Sequence, residues 1–208
     1  MTTTRSPWAA HTARTRRALV DAALELFADR GYDATTTGAI AEAAGVSPRT
    51  FFRYFPTKES VLFFGEYEFI RSFAGVLQCQ PPTVSDLDAM RASFVLLAPG
   101  AARLRKRIER YRKAVRSSLV LRGREQANHD DHAATVAAAI AARRGLAYPD
   151  PACELLGTIA VVVLQRAIDR WLAGPARGDL GAAIADEFTL LADAVGGAAR
   201  LTSDSQLS

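Results

Sequence analysis

The chain has 208 residues, 49% hydrophobic and 23% charged, enough apolar mass for a core and too much for a disordered polymer. Its net charge of +4 hides an uneven distribution: residues 1–17 carry Arg5, Arg14, Arg16 and Arg17 and no acid, while residues 103–124 carry ten Lys or Arg against Glu109, a balance of +9. Cys79 and Cys153 stand far apart without CxxC spacing, which argues against a zinc site or a disulfide framework and for two reduced thiols.

Apolar residues recur at three and four along most of the chain and alanine is abundant, so the expected fold is all-α, with about nine helices. The first helix is expected over about Thr12 to Arg30, with Leu19, Val20, Ala23, Leu24 and Phe27 on one face and Gly31 as its stop. Any of Thr35, Thr36 and Thr37 can cap a short second helix through Ile40, Ala41 and Ala44, which Gly45 ends. Ser47 followed by Pro48 is a second start signal, a capping hydroxyl and then a proline where a missing N–H costs nothing. A third short helix therefore covers Pro48 to Phe55, and Pro56 and Thr57 lead into a longer one from Lys58 to about Leu77.

Two short helices joined by a glycine turn under a longer first helix make a helix-turn-helix. The pattern turns Ile40, Ala41, Ala44, Val46 and Phe51 inward and leaves Arg49, Thr50, Arg53 and Tyr54 outward, a polar and cationic surface suited to a DNA groove.

Beyond Pro81 and Pro82, helices are expected at about 84–98, 100–121, 126–145, 152–173 and 179–197, broken at Pro99-Gly100, Gly123, Pro149/Pro151 and Gly174-Pro175. Residues 201–208 read as a frayed polar tail. The longest apolar run, Leu155 to Leu164, is about half of the roughly 20 residues that span a bilayer. Arg5 and its neighbours precede no apolar segment of a secretory signal, so the expectation is a cytoplasmic protein with no membrane partner.

The stretch FADRGYDATTTGAIAEAAGVSPRTFFRYFPTKE at residues 27–59 closely resembles the DNA-binding signature of TetR-family regulators, and the likeness extends over about residues 13–62. The resemblance implies a homodimeric repressor that binds a palindromic double-stranded operator and is released by a small-molecule effector. It divides the chain into a DNA-binding domain at 1–57, a ligand-binding and dimerisation domain at 58–200 and the tail at 201–208.

Carried over by position, Thr36 and Thr37 meet phosphate or an adjacent base, and Ser47, Pro48, Arg49 and Thr50 meet base edges and backbone. Phe52 stands where the family has a phosphate-binding tyrosine, so it offers only apolar contact. Tyr54 falls at a phosphate contact and Lys58 at the lysine that holds the backbone. Arg49, near the start of the short helix, is the residue expected to read guanine O6 and N7 bidentately, and Arg53 is expected as a register-fixing phosphate contact.

The Phe-Phe-Arg-Tyr-Phe segment, residues 51–55, is similar to a subgroup that responds to acyl-CoA-like ligands, so the effector is expected to be apolar. Candidate ligand residues are Tyr67, Phe94, Leu104, Ile108, Tyr111, Arg112 and Trp171. The basic 103–124 stretch itself reads either as part of that site or as a solvated helix face. Apolar surface in the last two helices exceeds what one core needs, and Leu155, Ile159, Val162, Val163, Ile184, Phe188 and Leu191 form the expected dimer interface.

The rival class is an enzyme, but no phosphate loop, GxSxG, HExxH or Cys/His pair is present, so no catalytic residue and no cofactor are expected. His129-Asp-Asp-His132 has metal-ligating groups at i,i+3 but reads better as a polar helix start, so no metal site is expected. The alternative function is a ligand-independent architectural or activating DNA-binding protein.

Overall fold

The computed structural model describes residues 7–204. These residues form nine α-helices and no strand: α1 Pro7–Arg30, α2 Thr37–Ala43, α3 Pro48–Tyr54, α4 Lys58–Gln78, α5 Asp86–Ala102, α6 Arg105–Ser117, α7 Leu119–Arg143, α8 Pro151–Ala173 and α9 Leu180–Asp204. Arg5 and residues 205–208 lie outside the described residues, and 201–204, expected to fray, continue α9.

Two expected breaks are absent. Pro99 lies inside α5, where the N–H it lacks falls in the exposed last turn, and Gly123 lies inside α7, where a helical glycine costs only about 1 kcal/mol. The chain breaks instead at Arg103-Leu104 and at Ser118, which makes α6 short and puts His129 and His132 in the middle of α7 rather than at a helix start.

By their contacts the helices group into two compact units, one running to Glu68 and including Lys106–Asn128, the other comprising Phe69–Arg105 and the chain from His129 onward. This partition cuts α4 and α7 and differs from a division between residues 57 and 58.

In the first unit, Leu19, Val20, Ala23, Leu24 and Phe27 of α1 pack with Ile40, Ala41, Phe51, Phe55, Val61, Leu62 and Phe63, and α6 and α7 add Tyr111, Ala114, Val115 and Leu121. Each large side chain buried this way contributes about 1.5–3 kcal/mol. The turns are set locally. Gly31 and Gly45 adopt φ of 82° and 68°, the left-handed region that side chains disfavour, and return N–H groups to Phe27 O at 3.1 Å and Glu42 O at 2.9 Å.

In the second unit α9 packs on both α5 and α8. The Phe94 ring is buried and stacks on Phe73 at 3.7 Å between centroids. Arg143 and Arg144 both pair with Asp86 at 2.6 Å, and Arg143 also donates to Pro81 O at 2.7 Å, which ties the end of α7 to the start of α5. Glu187, itself buried, takes Arg166 and Arg170 at 2.8 Å each. Helix α8 is long and apolar enough to cross a bilayer by length and composition, and one side of it, with Cys153, Ala160, Val161, Val163, Leu164, Ala167 and Trp171, is buried within its own unit.

Candidate nucleic-acid interface

Three local devices hold the second, third and fourth helices. Of the three candidate threonines the α2 cap is Thr36, whose Oγ1 accepts from Ala39 N at 3.1 Å; Thr35 instead is buried and donates to Gly31 O at 2.8 Å. Ser47 caps α3, accepting from Thr50 N at 3.1 Å, with Pro48 as the first helical residue. Thr57 and Ser60 cap α4 reciprocally, at 3.3 and 3.2 Å.

Phe51 then anchors α3 in the core, and the opposite surface carries Ser47, Pro48, Arg49, Phe52 and Arg53, all exposed, with Thr50 half-buried. Thr36 is exposed beside half-buried Thr37 at the start of α2. Phe52 is 52% exposed and meets Phe51 edge-on at 5.4 Å, so an aromatic edge stands on the surface with no hydroxyl to bond a phosphate. Half-buried Tyr54 lies between guanidiniums, with Arg53 at 5.1 Å and Arg16 at 5.7 Å from its ring.

The cations near this surface divide by what they touch. Arg14 and Arg17 are exposed, while Arg16 is stacked on Phe64 at 4.9 Å and serves as packing. Lys58 is turned inward: its ammonium donates to Tyr32 O at 2.8 Å and Thr35 O at 3.0 Å, which commits two of its three N–H groups to backbone. Burial lowers its pKa, while Asp33 opposes the fall.

The candidate ligand residues separate between the units. Tyr67, Tyr111 and Arg112 come together in the first, and half-buried Ile108 lies on the same helix as the latter two. Phe94 and Trp171 are core of the second, Trp171 donating to Gly178 O at 2.8 Å under the Arg105 guanidinium, and Leu104 is exposed.

Arg107 pairs with Asp21 at 2.8 Å and Arg110 with Glu25 at 4.0 Å, so two cations of the basic stretch serve α1, and most of the others are exposed. Asp21 and Glu25 stand four apart on α1 opposite that stretch, a spacing that was available to sequence reasoning. Glu66, Glu125 and Asn128, which join Tyr67 and Tyr111, carried no such signal because each stands alone in a mixed segment.

Of the expected dimer residues, Leu155, Ile159, Val162 and Leu191 lie at the surface of α8 and α9, together with Leu190 and Val195. Val163, Ile184 and Phe188 do not: they are buried in their own unit, Phe188 with its ring centroid 6.4 Å from that of Phe94 in α5 and Val163 at the floor of a surface cavity that Ile159, Val162, Leu190 and Leu191 also line. His129 and His132 lie 6.5 Å apart, with His129 Nε2 bonded to Gln165 at 2.9 Å. No group of three or more metal-ligating residues converges among the described residues.

Residues 19–63 match the family described as bacterial regulatory proteins, tetR family, and residues 85–196 match the family described as the MftR C-terminal domain. The HTH-type transcriptional regulator TcmR of Streptomyces glaucescens is 43% identical over 81 residues, a match that covers 39% of this chain and only 36% of TcmR. A TetR-family regulator from Streptomyces coelicolor A3 is similar in structure, with 21% identity, a TM-score of 0.51 and 90% and 96% of the two chains covered. SmeT of Stenotrophomonas maltophilia in complex with triclosan has 18% identity, a TM-score of 0.60 and 86% and 90% coverage. At these identities the two structures establish the shared fold.

Proposed function

Because this chain belongs to the TetR family of bacterial regulatory proteins, we propose that it is a homodimeric transcriptional repressor that reads a palindromic operator through α3 and releases it when a small molecule binds. The observation that carries the reading is the outer surface of α3, where Arg49 stands exposed in the first turn, directly after the capping Ser47 and Pro48, above a core anchored by Phe51. Arg49 reads a guanine, while Thr36, Thr37, Thr50, Arg53, Tyr54 and the remaining N–H of Lys58 hold phosphates.

Two copies of α3 enter successive major grooves of one DNA face only when held roughly 34–36 Å apart or at a multiple of that spacing. The apolar surface that Ile159, Val162, Leu190 and Leu191 share, with Leu155 and Val195 exposed on the same two helices, supplies the face for a second copy, since a contiguous apolar patch marks an interface where scattered apolar residues do not. A ligand that binds the DNA-incompetent arrangement more tightly shifts the population by that difference. Helix α4 runs unbroken from Lys58 into the second unit, so it is the element through which ligand occupancy reaches α3. The expected compartment is the cytoplasm, where the operator is.

The test is selection of bound duplexes from a random pool by the full chain, across a salt series. An enriched palindrome supports the reading, and binding that is uniform across sequences and merely salt-sensitive overturns it in favour of an architectural role.

A further inference from the structure

Helices α4, α6 and α7 bring six polar side chains into the interior of the first unit: Glu66 and Tyr67, Tyr111 and Arg112, Glu125 and Asn128. Tyr67 Oη donates to Asn128 Oδ1 at 2.9 Å, and Tyr111 Oη donates to Glu125 Oε1 at 2.9 Å. Arg112 Nη1 donates to the same Glu125 oxygen at 3.3 Å, and the Glu66 carboxyl is also within hydrogen-bond reach of the Tyr111 hydroxyl, so the one phenolic proton is shared between the two carboxyl groups. The cluster thus holds two carboxyl groups against one guanidinium, next to the apolar Phe63 ring, which meets Tyr111 edge-on at 5.9 Å.

Two buried atoms of this cluster, Glu66 Oε2 and Asn128 Nδ2, have no hydrogen-bond partner. Buried polar groups are nearly always paired, so an unmet acceptor and an unmet donor in one cluster mark a place built to meet something else. The excess of carboxyl over guanidinium sets the sign of what is missing. Burial pushes the Glu66 carboxyl up to about 7; Glu125 adds to the rise, while the Tyr111 hydrogen bond and Arg112 oppose it.

We propose that this cluster is the polar end of a binding site for an apolar amine, whose ammonium donates to Glu66 Oε2 while Asn128 Nδ2 donates to an acceptor atom of the same molecule. This deepens the regulator reading by naming the chemical class of its effector, and it rests on that reading only for the consequence at the operator. An ammonium neutralises the carboxyl excess and leaves Glu125 to Tyr111 and Arg112, whereas an anionic head would face both carboxyl groups.

Calorimetric titration of the full chain without DNA tests it, with decylamine, decanol, decanoate and decanoyl-CoA as probes below their micellar concentrations. Decylammonium should bind roughly tenfold tighter than decanol and decanoate, and Glu66→Gln should remove most of that advantage with the circular dichroism spectrum unchanged.

Should Glu66→Gln fail to fold, the wild-type chain still decides. Decylammonium affinity must rise between about pH 6 and about pH 8 as Glu66 ionises, while that for decanol stays level. Failure of decylammonium to bind, tighter binding of decanoate or decanoyl-CoA, an advantage that survives Glu66→Gln, or a flat pH response in the wild type would each overturn the proposal. The regulator reading fails separately, in the duplex selection.

Discussion

The Lys58 ammonium lies 3.8 Å from the centre of the Tyr32 ring and donates to the carbonyl of that same residue at 2.8 Å. With the second bond to Thr35 O, it fastens the first turn of α4 to the loop between α1 and α2. Lys58→Met removes both bonds, leaving Tyr32 O only the Thr35 N–H at 3.2 Å and Thr35 O without its ammonium donor, and should cost about 1–3 kcal/mol of stability. Urea unfolding checks this: a lysine that only met phosphate would weaken operator binding and leave the midpoint where it was.

Arg49 and Arg53 share α3 and the same exposed surface, yet their removal should differ in kind. Arg49→Ala should relax discrimination at one symmetric base pair by about 1–3 kcal/mol. Arg53→Ala should weaken binding alike on all sequences and lower the slope of log affinity against log salt by about 0.9 for each phosphate no longer neutralised. Fluorescence anisotropy on single-base operator variants at several salt concentrations separates the two.

A Cβ on Gly157 would stand 2.3 Å from Ala133 O and 3.1 Å from Ala137 N, both backbone atoms of α7. Gly157→Ala must push α7 and α8 apart and should cost about 1–3 kcal/mol or more, lowering Tm by several degrees. Gly75, inside α4 with nothing within 4 Å, is the control: Gly75→Ala should stabilise by about 0.4–1 kcal/mol. Thermal unfolding should therefore move in opposite directions for the same substitution.

Burial holds His132 down to about 4, with the neighbouring His129 adding to the fall and Asp131 opposing it. The folded ring stays neutral where the unfolded one, at its ordinary 6.5, takes up a proton, so its contribution is whole above 6.5 and is lost as pH falls towards 4. Glu66 runs the other way: its folded value near 7 lies above the ordinary 4.5, so its contribution is whole below 4.5 and is lost as pH rises through 7. The two oppose each other in the wild type and must be separated. His132→Gln should gain stability relative to the wild type on acidification, and Glu66→Gln should gain it on going from acid to neutral pH, as measured by urea unfolding across that range.

Leu155 and Val162 lie on the outer surface of α8, whereas Ile184 of α9 has no exposed surface. In sedimentation experiments Val162→Glu should convert a dimer to folded monomers. Ile184→Glu should unfold the chain instead, because a carboxylate buried without a partner costs several kcal/mol.

What the sequence determined by itself is what depends on a few neighbouring residues. A capping hydroxyl, a proline at the first helical position and a glycine in the left-handed region each act within about one turn of helix, so Thr36, Ser47-Pro48, Gly31 and Gly45 made the helix-turn-helix legible. The density of such signals in residues 27–59 also made the family legible.

The tertiary structure decided whatever depends on the facing residue. Pro99 and Gly123 look like breaks but sit in helices whose packing outweighs their local cost. The Ile184 and Val162 stripes look alike along the chain, and only the position of α5 and α9 turns one inward and leaves the other at the surface. Lys58 carries the same charge on either reading, and only the nearness of Tyr32 O and Thr35 O turns it inward. Glu66 and Asn128 became a site only when α4, α6 and α7 placed them in one interior, because the cost of an unmet polar atom is set by what surrounds it and not by its neighbours in sequence.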